Sequence, residues 1–129
     1  MPKTTIDQFE GGAALCEWFG GIPSFHDATL SELELRQGAA SRMVFKAFRI
    51  TPETDAAGYF IQEKHVTVTL MLFGLQSVQL AEIMEAGIVF SVDFERDDEG
   101  VTLLLKASYG AHGCIRFQDM AVAFEPAIS

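Results

Sequence analysis

The sequence predicts a mainly β fold in which an antiparallel meander forms a β-sandwich or a partly open barrel, with a short N-terminal helix. Apolar and polar residues alternate with a period of two along most of the chain after residue 28. Predicted strands recur about every 10 residues and are separated by turn residues. The regular alternation of strands and helices that a parallel α/β sheet requires is missing from the pattern. An α+β arrangement is the alternative.

The length fits one domain. The chain has 129 residues, of which 49% are hydrophobic, and domains commonly contain about 100–150 residues. We therefore interpret residues 1–129 as a single domain that is large enough to bury its own core.

The composition is acidic. Nine Lys and Arg residues against 18 Asp and Glu residues give a formal net charge of −9. Such a surface repels phosphate backbones, so we predict no nucleic-acid partner. The same charge attracts a basic protein partner, although acidity by itself also promotes solubility.

The apolar segments predict no membrane partner and a cytoplasmic location. Residues 1–7 lack the apolar stretch of a secretory signal. The longest apolar-rich run, residues 66–75, is shorter than the roughly 20 residues that span a bilayer. In the cytoplasm, Cys16 and Cys114 are expected to stay reduced.

A short helix is predicted near the N-terminus. Thr5 and Gln8 have the spacing of a capping box, whereas Gly20 and Gly21 are expected to end the helix and Pro23 to prevent its continuation. The apolar residues at helical spacing are Phe9, Ala13, Cys16 and Phe19, or alternatively Leu15 and Phe19.

The first strands follow this helix. Residues 28–35 alternate with a change of phase at Ser31 and Glu32, which is typical of a β-bulge. A turn at residues 38–40 leads into a strand over residues 42–50.

The middle of the chain contains one clear loop and one ambiguous segment. Residues 51–58 are polar and contain Pro52, which predicts a loop. Residues 75–85 fit either a strand or a helix. Between them, the residues predicted to point inward are Val66, Val68, Leu70 and Leu72.

The last third predicts three consecutive antiparallel strands. Turns are expected at residues 97–100 and 110–113, and the strand phase changes at Gln118 and Asp119. The residues predicted to point inward in the first two strands are Ile88, Phe90, Val92, Phe94, Val101, Leu103, Leu105 and Ala107.

The polar segment between the helix and the first strand contains the residues most able to carry function. His26 and Asp27 follow Ser24, but neighbours on a strand point to opposite faces, so we expect no catalytic relay among them. One interpretation is structural: Ser24 or Asp27 accepts hydrogen bonds from turn amides. The other is functional: the segment meets a partner or ligand. The candidate partner-binding residues are Trp18, Ser24, His26 and Asp27.

No metal site, cofactor or catalytic residue is predicted. Zinc sites usually combine three or four His, Cys or carboxylate ligands at short spacings. His65 alternates with threonines on an outward face, and His112 lies in a glycine-containing turn. The acidic residues 93–99 lack the spacing of an EF-hand loop and fit a solvated hairpin.

The segment Phe-Gly-Gly-Ile-Pro-Ser-Phe-His-Asp-Ala, residues 19–28, resembles a motif of the immunity protein 50 family of small bacterial proteins. Six consecutive residues, 23–28, fit the motif, and Ile22 stands where the family usually has Trp. The layout of residues 66–70, 74–80 and 89–95 is also similar. The resemblance implies a protein that binds and neutralises a co-encoded polymorphic toxin.

Three functional hypotheses follow. The first is a non-enzymatic protein-binding domain, with an immunity protein against a basic toxin as its specific form. The alternative is a small enzyme or ligand-binding β-barrel that uses His26 and Asp27 in a cavity. The third is a homodimer with a structural role.

Overall fold

The computed structural model describes residues 3–83 and 87–127. A short strand, β1 (Lys3–Thr4), and a 3-10 turn (Ile6–Gln8) precede the helix α1 (Gly12–Phe19). The other strands are β2 (Thr29–Glu34), β3 (Ser41–Thr54), β4 (Phe60–Ala81), β5 (Gly87–Asp97), β6 (Gly100–Tyr109) and β7 (His112–Pro126). The predicted fold class, mainly antiparallel β with one short helix, is confirmed.

The strands form one sheet in the order β1-β5-β2-β3-β4-β7-β6, and an additional pairing joins β5 to β6. The sheet is therefore ring-like without being a barrel. The contact between β2 and β5 that completes the ring consists of Thr29 opposite Ile88 and Leu30 opposite Gly87. Because this contact is so short, most of β5 has no strand partner on its β2 side.

Alternating residues of the long strands build the core inside this curved sheet. The inward prediction is confirmed in β4 and in the first half of β6, where the buried residues are Val66, Val68, Leu70, Leu72, Val101, Leu103 and Leu105. Burial of such side chains contributes about 1.5–3 kcal/mol each, so these two strands supply much of the driving force for folding.

Helix α1 packs on this core through Leu15, which is fully buried. The helix ends as predicted, because Gly20 adopts the left-handed conformation (φ 90°) and its N–H donates to the carbonyl of Cys16. The predicted capping box is wrong: Thr5 forms no side-chain cap, and its hydroxyl contacts the carboxylate of Asp7 instead.

The phase changes predicted along the strands are observed. The register of β2 against β3 shifts between Leu30 and Glu32, as a bulge at Ser31 requires. Gln118 and Asp119 are both exposed between buried neighbours, and the nearby register shift lies on β4, between Leu75 and Ser77. Bulges bend strands locally, which fits a sheet this curved.

The ends of strands β3 and β4 differ from the prediction. The loop predicted over residues 51–58 is shorter, because β3 continues to Thr54 and the turn is held by Asp55, whose Oδ1 accepts the N–H groups of Ala57 and Tyr59. The ambiguous residues 75–85 are strand as far as Ala81, and residues 84–86 lie outside the described residues.

The inward prediction for the start of β5 is wrong. Ile88 and Phe90 are exposed, whereas Val89 between them is buried. The cause is irregular pairing with β6, since the register shifts both between Ile88 and Val89 and between Val89 and Ser91. Each shift exchanges the face that the following residue occupies.

No helix in the described ranges, 3–83 and 87–127, is long and apolar enough to cross a membrane. Cys16 and Cys114 are both free thiols. Burial raises the pKa of the Cys16 thiol, with a smaller contribution from the negative charge of Asp7.

Candidate functional site

The segment between α1 and β2 forms a tight polar turn. Phe25 and Asp27 both have left-handed backbone angles, with φ of 59° and 65°. The Ser24 hydroxyl accepts the N–H of His26 at 3.2 Å, and the N–H of Ala28 donates to the Phe25 carbonyl at 3.0 Å. The predicted role of Ser24 as an acceptor for turn amides is therefore observed.

Phe25 anchors this turn to the core. Its ring is buried and packs against Phe45 at a centroid distance of 5.3 Å. The left-handed conformation of Phe25 turns its ring inward while leaving the flanking Ser24 and His26 side chains exposed. A bulky residue at positive φ is uncommon and is retained where the surrounding structure fixes it.

The turn is also bound to β5. The N–H of Asp27 donates to the carbonyl of Val89 at 2.9 Å, and the N–H of Val89 donates to the carbonyl of Ala28 at 2.8 Å. The imidazole Nδ1 of His26 lies 3.3 Å from the carbonyl oxygen of Phe90. These contacts extend the short pairing of β2 with β5 and fix the turn against the sheet.

The structure brings His26 and Asp27 together, contrary to the expectation from a strand. The imidazole Nε2 of His26 lies 3.7 Å from Oδ1 of Asp27, and both side chains are 49% exposed. The strand argument fails because these residues lie in a turn with a left-handed residue. Among the described contacts, neither ring nitrogen of His26 meets the hydroxyl of Ser24, so no Ser-His-Asp relay is assembled.

Residues 22–24 form a ridge between two surface grooves. One groove, of about 320 Å³, is lined in part by Ile22, Ser24, His26, Arg49 and Ile50; we call it the Arg49 groove. The second, of about 290 Å³, is lined in part by Ile22, Ser24, Thr5, Ser91 and Asp93; we call it the Asp93 groove. Ile22 and Ser24 line both grooves.

Large apolar side chains surround this ridge and are exposed. Ile22 and Phe90 are each 54% exposed, and Ile50 is 45% exposed. The Phe90 ring meets the His26 imidazole edge to face at 5.5 Å. We use the name turn surface for the group Ile22, Ser24, His26, Asp27, Ile50 and Phe90.

Three residues of the turn surface, Ile22, Ile50 and Phe90, are not among the partner-binding residues predicted from the sequence. Phe90 was predicted to point inward, and Ile50 was assigned to a strand without a role. The apolar residues 88, 90, 92 and 94 favour an inward phase for Phe90, but Val89 between them is also apolar, and it is Val89 that is buried. A tertiary contact, the one with His26, identifies Phe90.

Trp18 has a different environment. Its half-buried indole packs against Phe124 at 5.9 Å, and the Lys64 ammonium lies 4.9 Å from the ring centroid. Trp18 is not among the residues that line the Arg49 or Asp93 groove. The structure thus brings Ser24, His26 and Asp27 together and gives Trp18 a packing role outside those grooves.

The other histidines do not join His26. The ring of His65 packs against Phe48 at 5.6 Å, and Nδ1 of His112 lies 3.1 Å from the carbonyl oxygen of Gly110. Within residues 3–83 and 87–127, no group of three or more His, Cys, Asp or Glu side chains is placed to hold a metal ion.

The arginines of the chain are largely neutralised by acidic neighbours. Arg49 illustrates this in its groove: Nε lies 3.9 Å from Oε1 of Glu63, and Nη1 donates to the carbonyl of Phe19 at 3.3 Å. The arginines in ion pairs are Arg36, Arg42, Arg49, Arg96 and Arg116. The acidic excess therefore dominates the field that an approaching partner meets.

Comparison with known proteins adds no assignment to this geometry. No family model matches the chain, and no curated protein and no solved structure matches it. Function is argued below from the turn surface and the distribution of charge.

Proposed function

We propose that this chain is a non-enzymatic protein-binding domain that contacts a basic protein through the turn surface. The observation that carries the proposal is the exposure of Ile22, Ile50 and Phe90 around a rigid polar turn. Clustered apolar side chains with polar neighbours are typical of protein interfaces. Because hydrogen bonds to β5 already fix the turn, little conformational entropy is lost when a partner binds.

The specific form that we propose is an immunity protein that neutralises a co-encoded toxin. The resemblance of residues 19–28 to the immunity protein 50 motif supports it, and those residues include the ridge and the turn. The net charge of −9 supports a basic partner, because complementary charge accelerates association, and it disfavours nucleic acid. We further propose a cytoplasmic location, where the free Cys16 and Cys114 thiols would stay reduced.

The contact between His26 and Asp27 favours a second candidate, a ligand-binding or catalytic groove. The Arg49 groove brings His26 close to Ser24 and Arg49. We rank it second because the imidazole nitrogens of His26 already face the Phe90 carbonyl and the Asp27 carboxylate. A general base needs a ring nitrogen within reach of its substrate.

Calorimetric titration with the protein encoded by the neighbouring gene tests the proposal. Phe90→Ala should weaken binding by about 30-fold or more, as expected for an interface residue worth about 2 kcal/mol. The matched control is Phe60→Ala, because Phe60 is 60% exposed and is not among the residues that line the Arg49 or Asp93 groove. It should change the affinity less than about twofold.

Two results would contradict the proposal. One is equal affinity of the two phenylalanine variants for the neighbouring protein. The other is the absence of any complex, together with light scattering that gives twice the monomer mass. That second result would favour the homodimer hypothesis instead.

A further inference from the structure

We propose that the Asp93 groove receives a lysine or arginine side chain from the protein partner. This inference rests on the proposed function and adds to it the chemical class of a residue that the partner contributes. The Asp93 groove lies on the side of the ridge opposite the Arg49 groove.

The groove exists because β5 lacks a strand partner along part of its edge. β1 pairs with β5 at Phe94 and Glu95, and β2 pairs with it at Gly87 and Ile88. Between these contacts, residues 91–93 face the ridge instead of a strand. The resulting groove has a volume of about 290 Å³, at the lower limit of small-molecule sites, so it suits one side chain better than a large ligand.

The polar groups of the groove accept hydrogen bonds from a cation. Asp93 is half-buried, and its Oδ2 accepts the hydroxyl of Ser91 at 3.3 Å. No described Lys, Arg or His lies within ion-pair distance of Asp93, and none is among the described residues that line the groove. Thr5 and Ser24 also line the groove.

Apolar walls complete a shape that suits a long basic side chain. Ile22, Pro23 and Val92 line the same groove. Lysine and arginine pack their methylene groups along apolar surface and keep the charged end for polar partners. A hydrogen bond between a charged donor and a carboxylate is stronger than a neutral one.

The two grooves contain different charged groups, and this difference orients the bound partner. The Arg49 groove contains a guanidinium that lies beside Glu63, whereas no described Lys, Arg or His lies within ion-pair distance of the Asp93 carboxylate. Partners are oriented by such charge patterns as well as attracted by them. A basic side chain in the Asp93 groove would place the adjacent partner surface over the ridge and Phe90.

The direct test uses small probes and NMR. N-acetyl-arginine amide and N-acetyl-lysine amide carry only the side-chain charge, and N-acetyl-citrulline amide is a neutral isostere of the arginine probe. Backbone amide signals of residues 91–93 should shift saturably with one or both cationic probes and not with citrulline. The shifts should disappear in Asp93→Asn and persist in Asp98→Asn, which removes one exposed carboxylate from the β5–β6 turn.

The second test uses the neighbouring protein. Asp93→Asn should weaken its binding at least tenfold, and Asp98→Asn, which changes the net charge equally, less than threefold. If circular dichroism shows that the asparagine variant is misfolded, Asp93→Ser replaces it. Equal effects of Asp93→Asn and Asp98→Asn, or shifts with citrulline equal to those with arginine, would overturn the inference.

The experiments distinguish failure of the proposed function from failure of the proposed site for a basic side chain. If Phe90→Ala weakens the complex while Asp93→Asn behaves like Asp98→Asn, the turn surface stands and the basic side-chain site is wrong. If the cationic probes bind but Phe90→Ala and Phe60→Ala have equal affinity for the neighbouring protein, the proposed function is wrong.

Discussion

His26 and Phe90 contact each other in two ways, through a polar contact and through their rings. The imidazole Nδ1 of His26 lies 3.3 Å from the carbonyl oxygen of Phe90, and the two rings meet edge to face with their centroids 5.5 Å apart. The polar turn and the irregular start of β5 therefore form one surface. Substitution of His26 is expected to change both the stability of the turn and the shape of that surface.

The first prediction concerns the stability that His26 provides. His26→Ala should lower the free energy of unfolding by about 0.5–1 kcal/mol, the lower part of the range for a hydrogen bond, because the side chain is half exposed. Urea denaturation followed by the fluorescence of Trp18, the sole tryptophan, measures this change. An unchanged free energy would mean that the contact with Phe90 does not hold the turn.

The second prediction concerns the left-handed backbone of Asp27, whose φ is 65°. Asp27→Asn should change the free energy of unfolding by less than about 0.5 kcal/mol, because asparagine tolerates this conformation. Asp27→Val should destabilise the protein by about 1–2 kcal/mol, since a β-branched residue resists positive φ. Equal urea midpoints for the two variants would contradict this conformation of the turn.

The third prediction separates backbone strain from close packing. Gly11 and Gly38 both have positive φ, 81° and 75°, but only at Gly11 would an added Cβ clash with a neighbour, the carbonyl oxygen of Val122. Gly38→Ala should cost about 1 kcal/mol, and Gly11→Ala at least about 2 kcal/mol more, because the start of α1 must move away from β7. Thermal denaturation of both variants measures the difference, and similar melting temperatures would argue against this docking of the helix.

The fourth prediction is a pH dependence that arises from Asp97. Nη2 of Arg116 lies 2.8 Å from both carboxylate oxygens of Asp97. This hydrogen bonding, followed by that from the N–H of Glu99, lowers the pKa of Asp97 below its usual value. Since the folded pKa is depressed, the stabilisation is complete above the unfolded pKa of about 3.9 and is lost as the pH falls through the folded pKa.

Urea midpoints between pH 2 and pH 6 test this dependence. The wild type should be more stable than Asp97→Asn at pH 6, and the difference should shrink below about pH 4. Asp98→Asn controls for the loss of one carboxylate in the same turn and should differ from the wild type much less. A gap between wild type and Asp97→Asn that stays constant over this range would contradict the role of Arg116.

The regular strands could be predicted because their burial is regular. Val66, Val68, Leu70 and Leu72 alternate with polar or less buried neighbours, and each of the four is buried. The bulge at Ser31 was also visible, because two polar residues interrupt the alternation there. Local periodicity is enough to predict which residues are buried where a strand is paired continuously on both sides.

The errors arose where tertiary contacts override the local pattern. Ile88 and Phe90 share the phase of Val92 and Phe94, yet register shifts against β6 expose them and bury Val89 between them. Similarly, nothing in the sequence indicates that Phe25, a bulky residue, adopts positive φ, and that conformation helps to bring His26 to Asp27. The Asp93 groove depends on a gap between two strand pairings, which only the assembled sheet defines.

The measurement that tests the central claim most directly is hydrogen–deuterium exchange of this chain with and without the protein encoded beside it. A bound partner at the turn surface should slow exchange in peptides covering residues 22–27 and 89–93, and leave the β3–β4 turn at residues 55–59 unchanged. Protection confined to residues 55–59, or exchange that is identical with and without the neighbouring protein, would contradict the account.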